Sequence, residues 1–260
     1  MIIHWNADPL FFSFGGIYIR WYGLFFAGAF MAGLYMMHRI YDREGISQDE
    51  LKNLFTYVIV GTLIGARLGH CLFYDPVYYI THPVKILKVW EGGLASHGGA
   101  LGIVIALAFF TRRHDRHLDW LLDRLAIPGA FGGALIRIGN FMNSEIIGLP
   151  TGGDWGVVFE RLDSLPRHPV QLYESLAYMS IFVLLVLIYR IRGHKLADGY
   201  LAGLFLVAIF TVRFLLEYVK TPQAEFAVYW GVHMGQALSI PFIAAGIALL
   251  IRGMNDRAVR

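Results

Sequence analysis

Residues 137–145, RIGNFMNSE, put an arginine at the end of the uncharged run LAIPGAFGGALI and follow it with Asn140, Asn143 and Glu145. A guanidinium is a planar fork of donors that matches two oxygens of a carboxylate or a phosphate. In an apolar run such a charge needs an anion. Arg67 in GARLGH and Arg213 in RFLLEY repeat the situation. Arg213 and Glu217 are spaced i, i+4, so they could form an ion pair on one helix face, or Arg213 could hold a phosphate instead. Arg137 and Arg67 have no carboxylate so close in sequence, the other candidates being Glu145, Glu174 and Glu91. Arg67 could bind an anion or pack structurally. Asn140 and Asn143 offer amide donors and acceptors, or could cap a helix end. His97, among the glycines of GGLASHGGALG, could exchange a proton near neutral pH or be a hydrogen-bonded structural residue.

The elements that carry these residues are set by composition. The 260 residues are 57% hydrophobic and 16% charged, with a mean hydropathy of +0.53. That balance belongs to a membrane protein. A span needs roughly 20 apolar residues. Seven stretches qualify as spans, at about 17–38, 53–73, 94–111, 119–137, 171–189, 199–218 and 235–251. The predicted fold is therefore all-α and integral to the membrane. It is one polytopic domain over 1–260, a seven-helix bundle with a small periplasmic headpiece built mainly from 138–170. The 29 glycines suit close helix contact, or a backbone that must come near a ligand. No basic n-region precedes the first span, which is expected to serve as the insertion signal.

Twelve of the 22 basic residues fall in one set of loops, six in the other and four inside spans. Lysine and arginine bias places the richer loops in the cytoplasm, so the N-terminus is expected outside and the C-terminus inside. Position then reads as depth: Tyr22, Arg67, His97, Arg137 and Arg213 all fall in the outer half of the membrane. Arg124 falls near the cytoplasmic side.

Several chemistries are excluded. A serine hydrolase needs a G-x-S-x-G elbow to accompany the HGG of 97–99, and none occurs. H-E-x-x-H and P-loop motifs are absent. His114 and Asp119 have the spacing of glycerolipid acyltransferases, but in a loop too short for that fold. A transporter would need polar residues at all depths, whereas IVIALAFF and SIFVLLVLIY are apolar. No carboxylate cluster in the spans could hold Mg²⁺, so no metal and no cofactor is expected. Nothing points to nucleic acid. Cys71, the single cysteine, reads as buried filler.

The motifs RWYGLFFAGAF, GARLGH, WEGGLASHGGALG, RIGNFMNSEIIG, RHPVQLYES, RFLLEYVKTP and HMGQALSIP, taken in this order, resemble the bacterial prolipoprotein diacylglyceryl transferases across nearly the whole chain. The resemblance implies a seven-helix bundle in the bacterial inner membrane. It also implies transfer of the diacylglyceryl group of phosphatidylglycerol to the lipobox cysteine in the signal peptide of a preprolipoprotein. The product would be a thioether, with glycerol phosphate released. It places the family's catalytic positions on Arg137, Arg213, His97 and Tyr22. Lipid-binding positions fall on Asn140, Glu145, Gly148 and Glu217, to which depth adds Arg67 and Asn143. His97 is the first choice for a base, with Tyr22 or the arginine field as alternatives. One departure is Ser144, where the family's commoner form is N-G-E.

Overall fold

The computed structural model describes residues 1–15, 17–89, 93, 95–193, 196–221 and 233–258. Three short strands, β1 (Ile2–Trp5), β2 (Leu10–Phe14) and β3 (Ile17–Arg20), precede the helices α1 (Trp21–Glu44), α2 (Gln48–Phe73), α3 (Pro76–Thr81), α4 (Ser96–Arg113) and α5 (Leu118–Met142). Strands β4 (Gly156–Phe159) and β5 (Pro166–Arg167) follow, then helices α6 (Val170–Arg192), α7 (Tyr200–Leu216) and α8 (Met234–Ala258). Each of the seven apolar stretches carries a helix, although the first helix starts at Trp21 because 17–20 is strand β3. Among the described residues, five helices are long and apolar enough to cross a membrane: α2, α5, α6, α7 with its following turn, and the first 20 residues of α8. The chain is a mostly helical membrane protein.

The strands were not anticipated. β1 pairs in parallel with β4, from Ile2↔Gly156 to Trp5↔Phe159, and β5 pairs antiparallel on the other edge of β4. The N-terminal ammonium donates to the Asp154 carbonyl at 2.6 Å. Strands of two to five residues are too short to show an alternating pattern. The sheet is bolted to the end of α5 through apolar packing: Phe141 joins buried Val157 and Phe159, with Trp5 and Ile147 against them. The Trp5 and Phe141 ring centroids lie 4.5 Å apart. This small core fixes where the chain goes after α5. Beside it, the Arg167 guanidinium hydrogen-bonded to Asp163 holds that carboxyl below the usual carboxylate range.

The chain forms two compact units, one of residues 1–36 and 122–260, the other of residues 37–121. In the smaller unit α2 and α4 meet along glycines. A Cβ on Gly102 would lie 2.0 Å from the Gly61 carbonyl oxygen, and one on Gly65 would lie 2.3 Å from that of Gly98. Small residues let the backbones touch, which is how helices gain packing energy in a solvent as apolar as themselves. Gly98, Gly99 and Gly102, which follow His97, therefore serve helix contact. In the larger unit, buried Asp123 accepts the backbone N–H groups of Gly199 (2.9 Å) and Ala202 (2.7 Å), capping α7 from a different helix.

Candidate active site

α5 brings Arg137 and Asn140 to its last turns and then stops abruptly. The amide of Glu145 donates back to the Asn140 carbonyl at 2.9 Å, and the chain turns through Ser144 (φ 57°) and Ile146 (φ 55°), both in the left-handed region. Ser144, not either asparagine, is the left-handed residue that ends the helix. A left-handed conformation costs a non-glycine residue about 1–2 kcal/mol, which explains why a glycine suits this position. Ser144→Gly is expected to raise stability by about 1 kcal/mol with activity retained, read as an upward shift of the melting temperature; a lower one would remove this account of the turn.

That turn folds a polar network onto itself. Asn140, 5% exposed, accepts from Arg137 Nη1 at 3.1 Å and donates through Nδ2 to Glu145 Oε2 at 3.3 Å. Asn143 Nδ2 donates to the other Glu145 oxygen at 3.1 Å. From α6, Gln171 Nε2 donates to the Glu145 carbonyl at 2.6 Å. Tyr22, at the start of α1, packs on Gly139, where an added Cβ would lie 3.1 Å from its ring.

Arg137 does have a protein anion, 37 positions away in α6. Its Nε lies 2.8 Å from Glu174 Oε2, off the hydrogen-bonding line, and the Glu174 side chain is fully buried. The other Glu174 oxygen accepts from Lys220 Nζ at 2.6 Å. One buried carboxylate is thus shared by two cations. Among the described residues, the buried side-chain oxygens of Asn143, Ser144 and Gln171, and Glu174 Oε2 itself, have no hydrogen-bond partner, so they are open to a polar ligand.

Arg213 comes to this place from α7, its charge acting on both Lys220 and Tyr178. The Arg213–Glu217 ion pair, one of the two readings of that spacing, is not formed among the described residues. α7 ends at Leu216, but the Glu217 N–H still donates to the Arg213 carbonyl, so the i, i+4 spacing survives at the backbone and it is the side chains that part. The Glu217 carboxylate instead sits over Gly235 in the first turn of α8, where an added Cβ would lie 2.4 Å from it, and 3.9 Å from Lys220 Nζ. Among the described residues the half-buried Arg213 guanidinium has no hydrogen-bond or ion-pair partner.

Gly148 underlies the cluster. A Cβ there would lie 2.4 Å from the His168 carbonyl oxygen. Its own carbonyl accepts from Arg167 Nη1 (3.1 Å) and Thr221 Oγ1 (3.0 Å), and it bridges to Lys220. Its missing side chain lets three segments meet at this point.

Tyr22, Arg137, Asn140, Asn143, Glu145, Gly148, Arg213 and Glu217 all belong to the larger unit, and Arg67 and His97 to the smaller. Arg67 is 4% exposed. Its Nε donates to the Ile86 carbonyl at 2.8 Å, Nη1 to that of Gly93 at 3.1 Å, and Nη2 to that of Lys85. Its guanidinium also lies 5.1 Å from the Tyr79 ring centroid. In this geometry Arg67 pins the segment after α3. His97 stands in the first turn of α4, but its side chain and residue Glu91 lie outside the described residues.

Sequence reasoning had named Glu174 only as a nearby carboxylate and had passed over Lys220, Gln171 and Gly235. The signal was present in QLYES, which places Gln171 and Glu174 at i, i+3 on one face of an otherwise apolar helix.

The family model described as prolipoprotein diacylglyceryl transferase matches residues 9–252. A protein of Tolumonas auensis named phosphatidylglycerol–prolipoprotein diacylglyceryl transferase is 52% identical over 99% of this chain and 100% of its own length. Proteins of the same name from Chloroherpeton thalassium and Porphyromonas gingivalis are 49% and 43% identical, each over 98% of this chain and 95% of their own length.

Proposed function

The chain belongs to the prolipoprotein diacylglyceryl transferase family, and from that premise we propose that Arg137 and Arg213 hold the phosphate of phosphatidylglycerol while its diacylglyceryl group passes to a cysteine thiol. As a member of that family it acts as a transferase in the bacterial inner membrane, carrying out the first step of lipoprotein maturation. The observation that carries the residue assignment is Arg213, a half-buried cation without a protein anion among the described residues. An intramembrane charge of this kind costs about 2.5–3.5 kcal/mol on insertion scales unless an anion meets it, and a lipid phosphate at headgroup depth is that anion.

The thiol of the lipobox cysteine loses its proton to a base, and the thiolate attacks the glyceryl carbon that bears the phosphate. A C–S bond forms, the C–O bond breaks, and glycerol phosphate leaves with the bonding electron pair on its oxygen. Arg137 and Arg213 neutralise the charge that grows on that oxygen, the electrostatic term that usually dominates such catalysis. Asn140, Asn143 and Glu145 meet the headgroup glycerol, whose hydroxyls pair with amide and carboxylate oxygens. Tyr22 packs at the mouth of the site, Gly148 sets its floor and Glu217 balances Lys220. A thiol with a pKa near 8.5 is mostly protonated at neutral pH, and His97 is the proposed base. All seven long helices are taken as spans of one polytopic chain, adding α1 and α4 to the five, with the N-terminus in the periplasm, the C-terminus in the cytoplasm and the site in the outer leaflet.

Two tests follow from this chemistry. Replacing phosphatidylglycerol by phosphatidylethanolamine, which lacks the headgroup glycerol, should abolish thioether formation on a lipobox peptide; equal rates would remove the headgroup assignment. His97→Gln should lower turnover and flatten the pH–rate profile around pH 6–7, where an imidazole titrates. An unchanged profile takes His97 out of the mechanism.

A further inference from the structure

The reading of Arg137 as a phosphate ligand leaves a physical difficulty. A guanidinium 2.8 Å from a fully buried carboxylate should be a closed ion pair, its charge cancelled before any lipid arrives. The structure removes the difficulty with a third group. Lys220 Nζ lies 2.6 Å from the other oxygen of the same carboxylate, and its side chain is 7% exposed. Two cations share Glu174, and Glu217 lies 3.9 Å from Lys220 Nζ; with Arg213, whose charge also acts on Lys220, the cluster counts three cations to two carboxylates and keeps a positive charge.

We propose that Glu174 and Lys220 are positioning residues for Arg137, acting as a pair and resting on the proposed role of Arg137. Glu174 holds the guanidinium by charge beside Nε, while Asn140 Oδ1 accepts a hydrogen bond from Nη1 at 3.1 Å. Held by one ion pair and one hydrogen bond, the fork is aimed at folding, and the entropy of aiming it is not lost at each turnover. Lys220 keeps Glu174 ionised and at the same time stops Glu174 from cancelling Arg137. The arrangement also ties α5, α6 and the segment after α7 at a single point. Lys220 is held there by its backbone bridge to Gly148. The two residues touch Arg137 or each other and have no role with substrate, so they direct the cation and leave the chemistry to it.

The test uses the full-length protein in detergent with phosphatidylglycerol and a lipobox peptide, measuring kcat, KM for the lipid and melting temperature. Glu174→Gln takes from both cations the carboxylate they share and is expected to lower both melting temperature and kcat. The double variant Glu174→Gln with Lys220→Met removes one charge of each sign and is expected to recover much of the melting temperature. Its kcat should stay down by about 10²-fold with KM little changed, the signature of an interaction made in the transition state. Lys220→Arg, which keeps the cation, should retain most of kcat. A double variant whose kcat recovers together with its melting temperature makes the pair merely structural and overturns the proposal. So does a folded Glu174→Gln with wild-type kcat. A wild type that forms no thioether sinks the function reading and this inference together, whereas an active wild type with indifferent variants sinks only the inference.

Discussion

Arg213→Ala is expected to leave a folded protein that forms thioether about 10²–10³-fold more slowly than wild type, the range seen when one donor to a developing anionic charge is removed. The reasoning separates Arg213 from its neighbour. Arg137 is anchored to Glu174 and Asn140, so its removal disturbs a network and mixes a folding effect with a chemical one. Arg213 has no such partner among the described residues, so deleting it strands no buried carboxylate. Its melting temperature without lipid should equal or exceed that of wild type, because an unmatched cation in an apolar place has been taken away. Stabilisation by added phosphatidylglycerol should shrink, since binding to the folded state is what raises the melting temperature. Arg213→Lys keeps the charge but loses the fork, and falls between the two. An Arg213→Ala protein as active as wild type would contradict the assignment, as would one that fails to fold at all.

Gly102→Val is expected to be the most destructive single change in the smaller unit. Its Cβ would stand 2.0 Å from the Gly61 carbonyl oxygen and 2.9 Å from the Gly65 Cα. Both neighbours are backbone, so neither can rotate away and α2 and α4 must separate along their whole seam. Overpacking a core costs about 1–3 kcal/mol when side chains can yield, and here the cost lies at or above the top of that range. The measurement is the melting temperature in detergent together with the yield of folded protein. Gly28→Ala on α1 is the control, because nothing lies within 4 Å of the added methyl; it should behave as wild type. A Gly102→Val protein that melts with wild type would mean that α2 and α4 do not touch in the way described.

How far the sequence reached depends on the kind of physics each feature uses. Helix positions were readable because crossing a hydrocarbon layer demands a long apolar run, and all seven runs carry helices, with the first displaced by β3. The headpiece sheet was not readable, since Ile2 pairs with Gly156 and nothing local marks a parallel pairing across such a separation. Depth alone brought Arg137, Arg213 and Tyr22 into one neighbourhood. It could not find Glu174 as the anion for Arg137, because that requires knowing which face of α6 meets α5. Depth also treated Arg67 like the others, although a guanidinium that binds backbone carbonyls looks the same in a sequence as one that binds phosphate. The Arg213–Glu217 pair, one of two readings of that spacing, is not made although the backbone stays helical between them, because the Glu217 carboxylate turns to Gly235 and Lys220. Ser144 is the converse case, an unusual residue in the motif that turned out to occupy the left-handed position.

The most direct test of the central claim takes the purified wild-type protein in detergent, phosphatidylglycerol and a synthetic lipobox peptide, and follows peptide mass and released glycerol phosphate together, with Arg137→Ala alongside. The expected result is a peptide heavier by one diacylglyceryl group, an equal amount of glycerol phosphate, and neither product from a folded Arg137→Ala. An intact, lipid-replete wild type that yields neither product, or a folded Arg137→Ala that yields both at the wild-type rate, would contradict the account.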